Sequence, residues 1–395
     1  MLKDLLGDKP SSQQRGDNRA TGRGTVAYFV SPHGFGHAAR AAAVMAALRR
    51  RRPGIALHVF TTVPRWFFDD SVDGPMTYHP VRADVGFVQR DPFVEDLPAT
   101  IAALGEFWGG LDSTAAELAA TLRRLEVELV VCDVSPLGLA AADRAGLPGV
   151  LVENFTWDWI YRGYVNEEPR LAEFVYRNEE ILASVHRRIQ AEPVCGPAEE
   201  AVRVAPVSRE PRTSRSAVRR SVGLADDDSR PLVLLTMGGL GWREKGGETV
   251  PADAFFVTLG GADSIRREPS RLVLPDRSPI FPPDLVAAAD LVVAKLGYST
   301  VAECYRAGAR LAFLERPRFP ESDVLAAFCR ERLGGASLNA TGVNDGDGDD
   351  DGDGGQWLGD LPALLSRPAP EPGKATGAEE IARLLIESLD RSSVR

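Results

Sequence analysis

Two of the five histidines, His33 and His37, flank one short glycine-containing turn, Ser31-Pro-His-Gly-Phe-Gly-His-Ala-Ala-Arg40. An imidazole near neutral pH can take a proton from a hydroxyl, most effectively where a carboxylate fixes its tautomer. Asp133, closing the apolar run Val130-Val-Cys-Asp133, is a carboxylate suited to that role. A second group of polar residues follows another apolar run, at Lys295, Gly297, Tyr298, Ser299, Thr300 and Glu303. Hydroxyls and free amides at a helix start, next to a lysine, suit a phosphate or diphosphate. Glu303, about one helical turn further on, is placed to accept from sugar hydroxyls. The same residues also suit a plain capped helix with a satisfied carboxylate, since single glycine turns are weak signals.

These residues need strands and helices to hold them. Apolar, β-prone runs at 25–30, 55–61, 77–81, 129–132 and 149–152 alternate with helical patterns at 38–50, 100–124 and 137–145. The 100–124 helix is expected to be interrupted near Gly109 and Gly110. After a Pro-, Arg- and Ser-rich passage at 193–220 the rhythm restarts, with strands at 231–236, 254–259, 271–274, 291–294 and 310–314. Helices are expected at 285–289 and 301–307, and a last one opens at Thr376, where Glu379 completes a capping-box pattern. Short apolar strands alternating with helices specify parallel sheets covered on both faces. The expected division is a polar tail at 1–23, a first α/β domain at 24–205 and a second at 206–395, the latter carrying an acidic run at 342–355.

Composition narrows the function classes. Hydrophobic residues make up 44% and charged residues 26% of the 395 positions, as in an ordinary globular protein too long for one core. The net charge of −10 argues against a nucleic-acid binder. The four cysteines (Cys132, Cys195, Cys304, Cys329) form no CxxC pair, which suits a reducing compartment, and Cys132 and Cys304 fall in buried patterns. The first residues lack a signal-peptide core and no window has the ~20 apolar residues of a membrane span. A cytoplasmic protein is therefore expected. Arginines 49–52 favour a helix C-terminus, and an anionic acceptor or a peripheral membrane surface is their alternative partner. Asp347, Asp349, Asp351 and Gly352 have EF-hand-like spacing, but Leu358 stands where the closing Glu belongs, so no metal site is assigned.

The segment 289–303, ADLVVAKLGYSTVAE, resembles the donor-binding segment of GT-B glycosyltransferases, the superfamily of the UDP-sugar and MurG-like enzymes. That resemblance implies two Rossmann-like domains with parallel sheets facing an interdomain cleft, and a transferase of the hexosyl or N-acetylhexosaminyl type. It implies that Glu303 holds the ribose, that Ser299, Thr300 and Lys295 hold the diphosphate of a UDP-type sugar donor, and that Gly238 and Gly239 line the same cleft. Gly36-His37 is similar to the Gly-His of the inverting members, which makes His37 the base and Asp133 its orienting carboxylate; His33 competes for the role, and His37 is preferred because it adjoins the helix start. Where those enzymes carry an acid–Gln pair that contacts the sugar, this chain has Glu321 followed by Ser322. No cofactor is implied, since the nucleotide sugar is itself a substrate.

A closer resemblance covers most of residues 25–330. The runs His33-Gly34-Phe-Gly36-His37, Asp84-Val-Gly-Phe-Val-Gln89, Glu153-Asn154-Phe-Thr-Trp157-Asp-Trp-Ile-Tyr161 and Lys295-Leu-Gly-Tyr-Ser-Thr300 are similar to the glycosyltransferase-like region that precedes the kinase in plant L-arabinokinases. No kinase-like stretch is read in the remaining residues. His33, Gly34, Gly36, Asn154 and Trp157 are the candidates for the acceptor side. For the aromatic run after Asn154, packing under a loop is the alternative. Three functions stay open: sugar transfer to an acceptor hydroxyl, hydrolysis of a nucleotide sugar on the same fold, and nucleotide-sugar binding without catalysis.

Overall fold

The computed structural model describes residues 24–91, 94–237, 250–260, 262–316, 318–338, 356–374 and 376–392. The polar tail at 1–23, Gly238 and Gly239, and the acidic run at 342–355 lie outside the described residues.

In chain order the first half runs β1 (Thr25–Val30), α1 (Phe35–Arg51), β2 (Ala56–Thr61), α2 (Arg65–Asp69), β3 (Thr77–Pro80), a small hairpin of β4 (Gln89–Asp91) and β5 (Val94–Glu95), and α3 (Leu97–Arg124). It continues with β6 (Leu129–Asp133), α4 (Pro136–Ala145), β7 (Gly149–Glu153), α5 (Trp157–Arg162), α6 (Leu171–Leu182), β8 (Arg187–Ala191) and β9 (Val202–Val204). The second half runs α7 (Arg215–Val222), β10 (Leu232–Thr236), β11 (Phe255–Leu259), β12 (Arg266–Glu268), β13 (Arg271–Leu274), α8 (Pro282–Ala288), β14 (Leu291–Lys295) and α9 (Tyr298–Ala307). Then follow β15 (Leu311–Leu314), α10 (Ser322–Leu333), β16 (Ala336–Leu338), α11 (Leu361–Ser366) and α12 (Gly377–Ser392).

The strands form two seven-stranded sheets, in the orders β3-β2-β1-β6-β7-β8-β9 and β12-β13-β11-β10-β14-β15-β16. Every pairing in them is parallel except β12 with β13. The central strands β6, β7, β10 and β14 are buried along their whole length, as strands covered on both faces must be. This is the two-sheet α/β architecture that the alternating pattern predicts.

Strand order places the functional loops. In the first sheet β1 lies between β2 and β6, so the chain leaves β1 in one direction and later returns to its other side. β10 occupies the same position between β11 and β14 in the second sheet. Such reversal points open a crevice at the carboxyl ends of the strands. The turn after β1, the end of β6 and the turn after β14 all lie at these crevices, with Val30 paired to Asp133 and Thr236 to Ala294.

Three expectations change. α3 is continuous from Leu97 to Arg124, through Gly109 and Gly110. The passage at 193–220 contains β9 and most of α7. The last helix, expected with the second domain, packs instead on α1: Ala378, Ile381, Ala382, Leu385 and Leu389 join the core on that face of the first sheet. Its capping box is half formed. Thr376 Oγ1 accepts from the Ala378 amide at 3.2 Å, while Glu379 pairs with Arg50 and Arg51 at 2.7 and 2.8 Å. The arginine run therefore clamps α12, with Arg52 bonded to Asp390.

Candidate active site

α1 begins at Phe35, three residues earlier than the sequence suggests, with Gly34 as its N-cap at φ 76°. Left-handed backbone of this kind favours glycine. His37 thus sits inside the first turn of α1 rather than before it. Asp133 ends β6, and the turn that follows is held open by Val134 at φ 61°. A β-branched residue there costs on the order of 1–3 kcal/mol, a strain that the surrounding contacts offset. The Ser135 hydroxyl fixes this turn, accepting from the Gly138 amide at 3.1 Å and donating to the Ala83 carbonyl at 2.7 Å.

His37 Nδ1 lies 2.8 Å from Asp133 Oδ1. Asp133 also accepts from Arg40, at 2.7 Å from Nε and 2.6 Å from Nη2. All three side chains are buried. Burial alone would raise the Asp133 carboxyl, but the Arg40 guanidinium and the His37 bond hold it below the usual carboxylate range. An ionised carboxylate only accepts, so His37 carries its proton on Nδ1 and presents a lone pair at Nε2. Burial lowers the His37 pKa, Asp133 works against that, and Arg40 adds to the lowering. The ring is therefore neutral at physiological pH.

His33 has a different environment. Its ring packs edge-on against Trp157, with centroids 5.2 Å apart, and is lowered to about 3 by burial, His37, Arg316 and Lys295. It also lies close against the Gly86 backbone, since a Cβ at Gly86 would fall 2.4 Å from His33 Nδ1. Trp157 lies beneath both histidines and donates Nε1–H to Asp84 at 2.9 Å, and Asp84 also accepts from Ser31 at 2.9 Å. Burial raises Asp84 to about 7. Asn154 spends its polar groups internally, accepting from Arg40 and donating to the Ala191 and Pro193 carbonyls at 2.6 and 3.2 Å.

The second sheet supplies the opposite wall. The N-termini of α1 and α9 face each other; a Cβ at Gly36 would lie 3.9 Å from Ser299 Oγ. Two converging helix starts make a doubly favourable place for negative charge. A cavity of ≈ 130 Å³ brings together His33, Gly34, Gly36, His37, Lys295, Gly297, Tyr298, Ser299, Thr300 and Glu321. Added side-chain carbons at Gly34 or Gly297 would meet nothing within 4 Å, so both turns present bare backbone. Glu321 is buried and raised to about 7 by desolvation, against the lowering from Arg316, Lys295 and Arg40.

A larger cavity of ≈ 600 Å³ adjoins it and shares Phe35, Ser299 and Thr300. Glu303 lies there, together with the ends of β10 and β11, the 276–282 loop and the α2 aromatics Trp66 and Phe67. The larger cavity holds Glu303, the smaller one His37, Lys295, Gly297, Tyr298 and Glu321, and Ser299 and Thr300 line both.

Four charged residues carry roles that sequence reasoning did not assign: Arg40, Arg209 and Arg316, which line these cavities, and Asp84, buried behind Ser31 and Trp157. Arg40 had a usable signal, since it follows His37 by three residues and so shares its helix face. Arg316 pairs with Glu95 of the first half at 2.7 Å, both side chains being nearly fully buried. Among the described residues no group of three or more His, Cys, Asp or Glu is arranged to hold a metal ion, and no helix is long and apolar enough to cross a membrane. All four cysteines are free and buried.

The architecture and the facing cavities define a GT-B fold. Comparison with solved structures agrees: the chain aligns over 93% of its length with glycosyltransferase VinC in complex with dTDP (TM-score 0.55, 18% identity, 95% of that chain). It aligns over 94% with the glycotransferase of kitacinnamycin (TM-score 0.56, 14% identity, 96% of that chain) and over 93% with MurG of Acinetobacter baumannii (TM-score 0.51, 16% identity, 99% of that chain). Among curated proteins, L-arabinokinase of Arabidopsis thaliana is 31% identical over 310 residues, which cover 76% of this chain. The chain spans about 29% of that relative's length. No family model matches the chain.

Proposed function

We propose that this protein transfers a sugar from a nucleoside-diphosphate donor, UDP in our reading, to an acceptor hydroxyl, with inversion and without a metal. The observation that carries the proposal is His37, oriented from behind by Asp133 at 2.8 Å, in one cavity with Lys295, Ser299 and Thr300 of the opposite half. The solved complex of VinC with dTDP, a protein of the same fold, supports a nucleoside diphosphate as the leaving part. On this reading the base and the diphosphate site face each other across the space an anomeric carbon would occupy.

His37 Nε2 takes the acceptor's proton as its oxygen bonds to the anomeric carbon, and the carbon–oxygen bond to the diphosphate breaks on the opposite side. The departing negative charge falls on the α9 amides, the Ser299 and Thr300 hydroxyls and Lys295, groups already oriented before reaction. Glu303 accepts from the ribose in the ≈ 600 Å³ cavity, and Glu321 is placed to accept from hydroxyls of the transferred sugar.

The test is a thermal-shift screen of nucleoside diphosphates and nucleotide sugars, followed by turnover assays on hits. A ligand that binds only the folded chain raises Tm, by about 2.7 kcal/mol of stability at a hundred times its Kd. Failure of every nucleotide and nucleotide sugar to shift Tm, confirmed by calorimetry, rejects the proposal. Turnover that releases free sugar at the same rate with and without every acceptor tried would select hydrolysis.

A further inference from the structure

Glu303 is not alone in the larger cavity. Arg209, from the passage between the two halves, enters it and lies between the rings of Phe67 and Phe281, with its guanidinium carbon 4.9 and 5.1 Å from their centroids. These aromatics come from opposite halves, so the guanidinium is gripped across the cleft. Its Nε and Nη2 donate to Glu303 Oε1 at 3.2 and 3.0 Å. Both residues are buried, at 9% and 7% exposure. Two N–H donors fill the two lone pairs of Oε1. Oε2 receives no hydrogen bond from the described residues and is accessible from the cavity that Glu303 lines.

We infer that Arg209 is a positioning residue that reserves Glu303 for a ribose diol and so makes the donor site select ribonucleotides over deoxyribonucleotides. The inference rests on the donor-site reading above. One carboxylate oxygen is occupied and fixed by the guanidinium. The other offers two lone pairs, one for each of the 2′- and 3′-hydroxyls. A nucleotide lacking the 2′-hydroxyl leaves one of those lone pairs buried and unpaired, which is the kind of loss that gives a hydrogen-bonding pocket its discrimination. Burial pushes the Glu303 carboxyl up and Arg209 opposes that. Arg209 therefore also keeps the carboxyl an acceptor, because a protonated one would point a donor at the diol.

The test compares UDP with 2′-deoxy-UDP by calorimetry on the full chain, at pH 6 and pH 8. The wild type should prefer UDP by about tenfold or more, with little change between the two pH values. Arg209→Gln should bring the ratio towards one and make UDP binding weaken as pH falls, since Glu303 then takes up a proton. Arg209→Lys keeps a cation beside Glu303 and so protects folding; one ammonium does not reproduce the two-donor fork, so it should keep the flat pH profile and lose part of the preference. An unchanged ratio and profile in folded Arg209→Lys and Arg209→Gln overturns the inference, as does a wild type that binds both nucleotides equally. A wild type that binds neither nucleotide overturns the donor-site reading itself.

Discussion

His37 and Asp133 are 96 residues apart in the chain and 2.8 Å apart in space, because β1 and β6 are neighbours in the first sheet. Arg40 holds the same carboxylate from the same helix face as His37. Asp133 therefore does two things: it fixes the imidazole tautomer, and it neutralises a buried guanidinium. The two roles separate by mutation. His37→Gln should lower kcat on the order of 10²–10⁴-fold while nucleotide affinity and Tm stay near wild type. Asp133→Asn should lower kcat similarly and also destabilise the chain by about 3–5 kcal/mol, because Arg40 loses its counter-charge. A His37→Gln variant with unimpaired turnover removes this residue from the chemistry.

The pH profile follows from the same environment. His37 acts as a base only when neutral, so activity is lost as pH falls through its folded-state pKa. Burial lowers that pKa from 6.5, so the acid limb of kcat/KM due to His37 should lie below the ordinary histidine value. Glu321, raised to about 7, adds a second limb if its ionised form is the one that contacts the sugar. Glu321→Gln should abolish a limb near 7 and leave the lower one in place. An acid limb above 6.5 that persists in Glu321→Gln contradicts the assignment of His37.

How far the sequence showed this site depends on the range over which each residue acts. His33, His37, Asp133 and the Lys295–Glu303 group are legible because each lies at a strand end, in a helix's first turns or in the short turn between the two, positions fixed by local pattern. Arg209 is not, because its value lies in Phe67 and Phe281, which flank it only after the two halves meet. Locally it belongs to a polar passage with few apolar residues. The break expected at Gly109 and Gly110 fails for a related reason. Leu104, Trp108, Leu111, Ala115, Leu118 and Leu122 form one buried stripe along α3, and that packing outweighs about 1 kcal/mol per glycine.

Arg316 and Glu95 link the second half to the β4–β5 hairpin of the first, at 2.7 Å and almost wholly buried. Phe319 stacks under the Arg316 guanidinium at 3.9 Å and meets Phe87 of the first half at 6.0 Å. Arg316 also lines the His37 cavity, so this pair closes one side of the site. Glu95→Gln leaves the guanidinium without its charge partner and should lower Tm; removing one member of a buried pair costs about 3–5 kcal/mol. Closure excludes water from the donor. The ratio of donor hydrolysis to transfer should therefore rise in Glu95→Gln, measured as free sugar against glycosylated product, and an unchanged ratio with a lowered Tm would leave the pair a purely structural one.

α12 gives the last prediction, one about stability. It packs on α1, the helix whose first turn carries His37, through Ile381, Leu385 and Leu389, each almost completely buried. Its outward contacts are different in kind: Glu379 meets Arg50 and Arg51 with side chains 39%, 52% and 42% exposed. Buried aliphatic contacts and exposed ion pairs scale differently. Leu385→Ala removes a fully buried side chain and should cost about 2–5 kcal/mol in denaturant unfolding, depending on how far the cavity collapses. Glu379→Ala should cost no more than about 1 kcal/mol, and less at high salt. If Glu379→Ala proved the more damaging, α12 would be held by charge rather than by burial. If neither variant moved the unfolding midpoint, the helix would not be part of the cooperative core of the first half.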